Sequence, residues 1–287
     1  MDFYLKNPKL VVLLGHPLGH TFSPRIHNLA FKILGLDYVY TAFPIEPDKF
    51  GYLDLKNLPI IGGNVTIPYK EKVISKLDFI SESSGNIGAV NTFYKEDNVL
   101  KGDNTDYYGF MKSLEGFEKY FADKEVLLLG TGGSAKAVLY ALSKLKVKKV
   151  CVVSRDLETA NTFINSKIEQ GLNLEYQAFN FETLTLYSQL KNISMVINTT
   201  PVGMKDSNSP LNISTLNGLK DDILVYDLIY NPLKTELLKQ SQNKGFKIKN
   251  GLEMLVYQAE KAFEHWTQEQ FPTKDIFEYL TEFKYSK

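Results

Sequence analysis

The stretch Glu125–Leu145, EVLLLGTGGSAKAVLYALSKL, decides the fold of this 287-residue chain. The apolar run Glu125–Leu129 predicts a buried strand, and the periodic segment after the glycine-rich turn predicts a helix. This order is typical of dinucleotide-binding units, because glycines let the backbone approach a pyrophosphate and a helix N-terminus attracts anions. We therefore expect a Rossmann-like domain in which Gly130, Gly132 and Gly133 lie at a pyrophosphate.

Strand and helix patterns alternate on both sides of this stretch, which indicates an α/β fold. A chain of this length is sufficient for two domains. Further strands are predicted at Leu10–Leu14, Tyr38–Pro44, Pro59–Val65, Lys148–Arg155, Leu174–Phe179, Met195–Asn198 and Ile223–Leu228, with a hairpin turning at Glu96-Asp97-Asn98. Helices are predicted after Ser23, which is placed as a cap, and at Glu46–Leu55, Tyr107–Phe117 and from Gly251 onward.

A second stretch, Gly62–Glu71, has the sequence GGNVTIPYKE and predicts a strand end, a tight turn and a helix start. Pro68 suits a first helical turn and would place Lys70 on it, near the carboxyl end of a strand. A lysine opposes the helix dipole there, so a nearby carboxylate or anionic ligand is expected. Two carboxylates follow in GDNTD, Gly102–Asp106, and Lys70 with Asp106 can form a proton-handling pair; a solvated surface lysine is the alternative.

Composition excludes several classes of protein. Lysine plus arginine and aspartate plus glutamate both number 33, so the basic excess of a nucleic-acid binder is missing. No apolar run has the length of a membrane span, and the N-terminus has no signal-peptide core. The single cysteine, Cys151, excludes an internal disulfide and fits the cytoplasm. The four histidines have no metal-ligand spacing, and we predict no metal.

The motifs NVTIPYK and GDNTD, with GHPLGHTFSPRIHN at residues 15–28, resemble the signatures of the shikimate dehydrogenase family. The resemblance spans nearly the whole chain. It implies reversible reduction of 3-dehydroshikimate to shikimate by NADPH, with Lys70 transferring the proton and Asp106 orienting it. It also implies a substrate-binding domain at 1–106, completed by C-terminal helices in 250–287, and an NADP-binding Rossmann-like domain at 107–249.

The resemblance also implies the residues that bind the substrate. In the family, hydroxyl groups of a His-Ser-x-Ser-Pro segment hold the substrate carboxylate. Here Ser23 matches the second serine, and Thr21 replaces the first. Threonine still donates a hydrogen bond, but its methyl group takes up space, which leaves the choice between shikimate and quinate open. The positions that match contacts to the ring hydroxyls or carboxylate are Thr66, Lys70, Asn91, Asp106, Tyr230 and Gln258.

The spacing Gly-x-Gly-Gly-x-Ala is similar to the family's cofactor fingerprint. At the end of the next strand, NADP-dependent members typically have Asn-Arg-Thr followed by a second arginine. Arg155 matches the first arginine and favours NADP, because a guanidinium pairs well with phosphate. Asp156 and Thr159 depart from the pattern, which leaves NAD use possible. The cofactor residues implied are Gly130, Thr131, Gly132, Gly133, Ser134, Ser154, Arg155, Thr200, Leu228 and Gly251.

Two other functions remain open at this point. A quinate/shikimate dehydrogenase with NAD or dual cofactor use would fit the departures at Thr21 and at Asp156. A non-catalytic ligand sensor on the same fold is disfavoured, because Lys70 and Asp106 are both present. The substrate is a small molecule in either enzyme, and no nucleic-acid or membrane partner is expected. Monomer and homodimer are both compatible with the sequence.

Overall fold

The computed structural model describes residues 7–19, 21–185 and 190–285 of the chain. The chain divides into two compact units, Met1–Gly109 with Val256–Lys287, and Phe110–Leu255. Each unit contains a six-stranded sheet. The substrate and cofactor roles that the sequence assigns to the two domains stay predictions at this point.

The first unit is built on a mixed sheet. Its elements before the boundary are β1 (Lys9–Gly15), α1 (Ser23–Ile33), β2 (Tyr38–Pro44), β3 (Gly62–Val65), β4 (Phe79–Ile80), α2 (Glu82–Ile87), β5 (Thr92–Glu96), β6 (Val99–Asp103) and α3 (Asp106–Ser113). The strand order is β2-β1-β3-β5-β6-β4. β1 runs parallel to β2 and β3, and Leu14, Val65 and Phe93 join one buried apolar cluster. The carboxyl ends of β1 and β3 therefore lie side by side.

The structure confirms the predicted hairpin. β5 pairs antiparallel with β6, and Glu96 lies opposite Val99. The two residues between them, Asp97 and Asn98, have φ of 50° and 62°. Positive φ at both central positions is the geometry of a type I′ turn, which aspartate and asparagine tolerate better than most residues. The hairpin leads the chain directly to Asp106 at the start of α3.

Lys70 does not lie on a helix, and that prediction is wrong. The Tyr69 amide donates to the Thr66 carbonyl at 2.9 Å and closes a turn around Pro68. A short 3₁₀ helix begins only afterwards, at Lys72–Lys76. The Tyr69 ring is fully buried, which draws the chain inward at the residue where an α-helix would have begun. Lys70 therefore does not begin a helix of its own, and the expected conflict with the dipole of such a helix does not arise.

The predicted helix at Glu46–Leu55 is also wrong. This segment forms turns and a three-residue 3₁₀ helix at Phe50–Tyr52. Its main apolar contacts with the core come from Ile45, Phe50 and Leu55, all buried. A spacing of five residues does not follow one face of an α-helix, whose apolar residues recur every three or four positions.

α1 begins at Ser23 instead of being capped by it. Phe22 occupies the N-cap position without a side-chain hydrogen bond. The buried face of the helix includes His27 and Phe31, whereas Ile33 is exposed. The aromatic partners of this face come both from the nearby β2 and from the distant C-terminal segment, so residue spacing within the helix alone did not reveal it.

The second unit is a Rossmann-like sheet of parallel strands. Its elements are β7 (Glu125–Leu129), α4 (Gly133–Lys144), β8 (Lys149–Ser154), α5 (Leu157–Glu169), β9 (Glu175–Asn180), α6 (Phe181–Thr185), β10 (Ile193–Asn198), α7 (Ile213–Gly218), β11 (Leu224–Asp227), α8 (Glu236–Asn243) and β12 (Lys247–Asn250). The strand order is β12-β11-β10-β7-β8-β9, with every pair parallel. The order reverses at β7, which places the topological switch point at the loop after Leu129. The predicted α/β fold is confirmed.

β12 is a strand that the sequence pattern did not predict. Two of its four residues are lysines, so the apolar run that marks the predicted strands is missing here. Lys249 is nevertheless buried, with Nζ 2.6 Å from Glu253 Oε2 and 4.9 Å from the centre of the Phe117 ring. A carboxylate and an aromatic face together make the buried ammonium acceptable.

Two helices complete the chain, α9 (Leu252–Thr267) and α10 (Thr273–Tyr285). Within the first unit, Trp266 on α9 donates from Nε1 to the Phe93 carbonyl of β5 at 3.1 Å. The predicted linking helix at Tyr107–Phe117 is shorter than expected, because α3 ends at Ser113. Gly116 then takes a φ of 83°, which stops any continuation of a right-handed helix.

Candidate active site

A lysine–aspartate pair connects the turn after β3 with the start of α3. Lys70 Nζ lies 2.6 Å from Asp106 Oδ2, and the two side chains are only 15% and 9% exposed. The Lys70 carbonyl accepts the Val90 amide at 2.8 Å, which fixes the lysine backbone beside the next strand. Charge-assisted hydrogen bonds of this length are strong, and salt screens a largely buried pair little. The structure thus brings together the two residues expected to handle a proton.

Asn91 holds the second oxygen of the same carboxylate. Its Nδ2 donates to Asp106 Oδ1 at 2.9 Å, and its Oδ1 accepts the Thr105 amide at 2.6 Å. Gln258 Oε1, on α9, lies 3.4 Å from the same Nδ2. Each oxygen of Asp106 therefore has its own donor, and the carboxylate is held in one orientation.

Asn104 supports this arrangement, and the sequence analysis did not single it out. Its side chain is fully buried, with Oδ1 accepting the Asp106 amide at 3.1 Å and Nδ2 donating to the Ala89 carbonyl at 2.9 Å. Asn104 thereby ties the first residue of α3 to the segment that leads into Asn91. The sequence feature that could have identified Asn104 is its position inside GDNTD, because asparagine side chains often bond to backbone groups of neighbouring residues.

Thr21 and Ser23 form a pair of hydroxyl groups at the start of α1. Thr21 Oγ1 lies 3.1 Å from Ser23 Oγ and accepts the Ser23 amide at 3.2 Å. Thr21, and not Ser23, thus satisfies an amide at the start of the helix. His20, which precedes the pair, lies outside the described residues.

The other predicted substrate residues lie in both units. Thr66 follows β3 and packs on Gly15, where an added Cβ would lie 2.4 Å from Thr66 Cγ2. Tyr230 follows β11 in the second unit and is partly buried. Within the first unit, direct contacts join the predicted residues Lys70, Asn91, Asp106 and Gln258 in one network and Thr21 with Ser23 in another.

The glycine loop after β7 leads to a helix N-terminus without a side-chain cap. Gly130 has a φ of 103°, and a Cβ there would lie 2.7 Å from Thr199 Oγ1, so a side chain would be both strained and crowded. Gly132 is the N-cap of α4, so no side chain of the N-cap residue bonds to the first amides of this helix. A Cβ on Gly132 would meet no atom of the described residues within 4 Å. The first amides of α4 are thus unobstructed by a side chain at this position, as phosphate binding requires.

The end of β8 places a cation next to an anion. Ser154 is buried, whereas Arg155 and Asp156 are exposed. Asp156 caps α5, with Oδ1 accepting the Thr159 amide at 2.7 Å and Oδ2 accepting the Thr159 hydroxyl at 2.8 Å. These hydrogen bonds, that of the amide foremost, lower the pKa of Asp156. The carboxylate therefore stays ionised at neutral pH beside Arg155.

A buried polar pair joins the carboxyl ends of β10 and β11. Asn198 Nδ2 donates to Asp227 Oδ1 at 3.0 Å, and both side chains are fully buried. Burial raises the pKa of Asp227 to about 6, although hydrogen bonds from its neighbours oppose the shift. Neither residue was selected from the sequence. The signal that could have identified them is that each is a polar residue at the end of an apolar strand.

Comparison with known proteins identifies the family. The model of the shikimate dehydrogenase substrate binding domain matches residues 13–93, and that of the shikimate 5′-dehydrogenase C-terminal domain matches residues 251–276. A shikimate dehydrogenase (NADP(+)) of Dictyoglomus turgidum is 43% identical over 260 residues, which cover 90% of this chain and 91% of that protein. The chain belongs to the shikimate dehydrogenase family. The resemblance inferred from the motifs is confirmed.

Solved structures of shikimate dehydrogenases share the fold. A shikimate 5-dehydrogenase from Listeria monocytogenes, in complex with shikimate and NAD, has a TM-score of 0.86 and 30% identity over 98% of this chain and 99% of that one. A Thermus thermophilus enzyme, in complex with NADP(H) and shikimate, has a TM-score of 0.80 and 31% identity over 94% and 97% of the two chains. Similarity over nearly the full length covers both units of this family member.

Neither a metal centre nor a membrane-spanning helix occurs among residues 7–19, 21–185 and 190–285. No group of three or more histidine, cysteine, aspartate and glutamate side chains within them could hold a metal ion. None of the helices described there is both long and apolar enough to cross a membrane. Cys151 is buried in β8, and burial raises the pKa of its thiol to about 12, which leaves it unreactive at neutral pH.

Proposed function

We propose that this protein is an NADP-dependent shikimate dehydrogenase that reversibly reduces 3-dehydroshikimate to shikimate. The observation that carries the proposal is the 2.6 Å contact between Lys70 Nζ and Asp106 Oδ2 in a member of this family. Reduction of a ketone needs a proton donor held in place, and this pair provides one. The same pair argues against a non-catalytic ligand sensor, which would have no use for a positioned proton donor.

The glycine loop of the second unit fits a dinucleotide. The backbone at Gly130 and the uncapped start of α4 at Gly132 suit a pyrophosphate. Arg155 is exposed at the end of the adjacent strand and suits a 2′-phosphate, because a guanidinium pairs with phosphate through two hydrogen bonds. We therefore assign the pyrophosphate to Gly130–Ser134 and the 2′-phosphate to Ser154 and Arg155. Thr200, Leu228 and Gly251 would contact the rest of the cofactor.

The chain's own residues handle the proton. NADPH, when bound, supplies the hydride that reduces the substrate ketone. Lys70, as an ammonium, stabilises the negative charge that develops on the ketone oxygen and donates the proton to it. Asp106 holds the ammonium through Oδ2, and Asn91 keeps the carboxylate oriented through Oδ1. In the oxidation direction neutral Lys70 accepts the proton of the substrate hydroxyl.

The polar residues predicted to bind the substrate suit a polyhydroxy cyclohexene carboxylate. Hydroxyl groups of Thr21 and Ser23 would hold the carboxylate. Amide and hydroxyl groups would hold the ring hydroxyls, from Thr66, Asn91, Tyr230 and Gln258. A buried polar group left unpaired costs about 1–3 kcal/mol, so such a lining rejects analogues that lack one hydroxyl.

Reduction of NADP by purified protein in the presence of shikimate tests the proposal. We expect shikimate-dependent formation of NADPH, with much lower rates for quinate and for NAD. Comparable rates with quinate or with NAD would instead assign a quinate/shikimate dehydrogenase with relaxed cofactor use. If the folded protein reduces neither cofactor with either acid, the proposed function is wrong and the sensor becomes the better hypothesis.

The proposed reaction involves small molecules only, without a nucleic-acid or membrane partner. A cytoplasmic location is proposed on the single reduced cysteine and on the use of NADPH. Monomeric and homodimeric states both remain predictions, and either is compatible with the proposed chemistry.

A further inference from the structure

We propose that Asp227 is a positioning residue of the cofactor site, whose buried carboxylate fixes the two loops that follow β10 and β11. The inference rests on the proposed function, because that function assigns Thr200, Leu228 and Gly251 to NADP. It adds a residue outside the set implied by the family motifs. Asp227 acts through these loops and is not proposed to contact the cofactor.

Asp227 connects three separate segments of the second unit. Its Oδ1 accepts Asn198 Nδ2 at 3.0 Å and the Ile229 amide at 3.1 Å. Its Oδ2 accepts the Thr235 hydroxyl at 2.6 Å. A fully buried carboxylate is tolerated only with such partners, and here they come from the end of β10, the loop after β11 and the N-cap of α8.

The first loop depends on the orientation of the Asn198 amide. A carboxylate only accepts hydrogen bonds when it is ionised, so Asp227 binds the NH₂ end of Asn198 and turns the oxygen end the other way. That oxygen accepts the amide of Thr200 at 3.0 Å and its hydroxyl at 2.7 Å. Thr199 in turn donates to the Leu129 carbonyl at 2.6 Å, beside the glycine loop. Through Asn198, Asp227 thus fixes the conformation of the loop that carries Thr200.

The second loop begins at Asp227 itself. The Leu228 amide donates to the Asn198 carbonyl at 3.0 Å, and the Gly251 amide donates to the Ile229 carbonyl at 3.1 Å. A Cβ on Gly251 would lie 1.9 Å from the Leu228 carbonyl oxygen, so Leu228 packs directly against Gly251 and leaves no room for a side chain there. Because Asp227 binds both Asn198 and the Ile229 amide, one carboxylate sets the positions of Leu228 and Gly251.

Loss of Asp227 also has a structural consequence outside the two loops, so the test needs a control for stability. Thr235 caps α8 by accepting the Leu238 amide at 3.4 Å while it donates to Asp227, so loss of Asp227 also weakens that helix. A matched structural pair exists at the opposite end of β10, where Lys220 Nζ donates to Ser194 Oγ at 2.6 Å and Ser194 is buried. Ser194→Ala therefore removes a buried hydrogen bond on the same strand without touching either loop.

The test compares Asp227→Ala, Asp227→Asn and Ser194→Ala with the wild type. The Kd of NADP is measured by calorimetry, the KM of NADP and of shikimate by kinetics, and folding by circular dichroism. For Asp227→Ala we expect the Kd and KM of NADP to rise about tenfold, with a clearly smaller rise in the KM of shikimate, because of the proposed substrate residues only Tyr230 lies on one of the two loops. Asp227→Asn should restore most of the affinity, because its carbonyl oxygen still accepts from Asn198 and Ile229. Ser194→Ala should match the wild type.

Three outcomes overturn the inference. They are a folded Asp227→Ala with wild-type NADP affinity, an equal loss in Ser194→Ala, and equal rises in both KM values. If Asp227→Ala does not fold, Asn198→Ala decides, because it breaks the connection from Asp227 to Thr200 while Ile229 and Thr235 still bind the carboxylate. An unchanged Kd of NADP in that variant refutes the role. Failure of the wild type to bind NADP or to oxidise shikimate would instead refute the proposed function.

Discussion

Asn91 Nδ2 lies 2.9 Å from Asp106 Oδ1, the carboxylate oxygen that Lys70 does not contact. Donors on both oxygens leave the carboxylate a single orientation, and this orientation sets the position of the Lys70 ammonium. Catalytic groups held in place before the reaction need no reorganisation during it, which is a large part of enzymatic rate enhancement. Turnover should therefore depend both on Lys70 and on the Asn91 side chain that holds Asp106.

Lys70→Ala should reduce turnover far more than it weakens shikimate binding. Loss of a general acid–base group typically lowers kcat by about 10²–10⁴-fold, whereas the ring hydroxyls keep their other partners. Steady-state kinetics give kcat, and calorimetry gives the Kd of shikimate. Lys72→Ala, an exposed lysine two residues further along, is the matched control and should leave both constants unchanged. Preserved turnover with weakened binding in Lys70→Ala would reject the catalytic role.

Asn91→Ala should lower kcat about 10–100-fold and also destabilise the fold. The change removes a donor to Asp106 and leaves the buried Thr105 amide without its acceptor, which costs about 1–3 kcal/mol. Urea unfolding measures the loss of stability, and kinetics measure the loss of turnover. Asn217→Ala, which alters an exposed asparagine, should change neither. Wild-type kcat in a destabilised Asn91→Ala would limit this residue to a structural role.

Much of the fold could be predicted because its signals are local. An apolar strand followed by Gly130 and a periodic helix needs no distant partner to be recognised, and the structure places β7 and α4 there. The pairing of Lys70 with Asp106 was also accessible, because each residue follows a strand in a motif of its own.

The errors and omissions have long-range causes. Lys70 lies in a turn because the core buries Tyr69, and β12 pairs with β11 and places its buried Lys249 beside Phe117, a residue far away in the chain. Asn198 and Asp227 are 29 positions apart in the chain, and only the pairing of β10 with β11 joins them. Spacing along one sequence does not encode such partners.

Acid should destabilise the protein partly through His27. Its ring is fully buried, 4.6 Å from the Tyr40 ring and 4.9 Å from the Trp266 ring, and neither nitrogen has a hydrogen-bond partner among the described residues. Burial lowers the pKa of His27 from 6.5 to about 3. Between these values the unfolded chain binds a proton that the folded chain does not, so stability falls as the pH drops below 6.5. The slope from this group approaches about 1.4 kcal/mol per pH unit.

His27→Phe should reduce that slope, because the phenyl ring keeps the aromatic packing and cannot bind a proton. Urea unfolding at several pH values between about 4 and 7 gives the two curves. The quantity compared is the difference in slope, since the substitution also shifts the absolute stability through repacking. Parallel curves for His27→Phe and the wild type would show that His27 does not carry the acid sensitivity.

Asp156→Ser should sharpen the preference for NADP over NAD. Arg155 is proposed to bind the 2′-phosphate, and the neighbouring Asp156 carboxylate, which Thr159 keeps ionised, repels the same phosphate. Serine keeps an N-cap oxygen for α5 and removes the charge. Because solvent screens an exposed charge, we expect a gain of only about two- to fivefold in the affinity for NADP and no gain in the affinity for NAD. Calorimetric titration with each cofactor measures the ratio. Equal changes for the two cofactors would mean that Asp156 acts on the helix alone, and a loss of NADP affinity would contradict the assignment of the 2′-phosphate to Arg155.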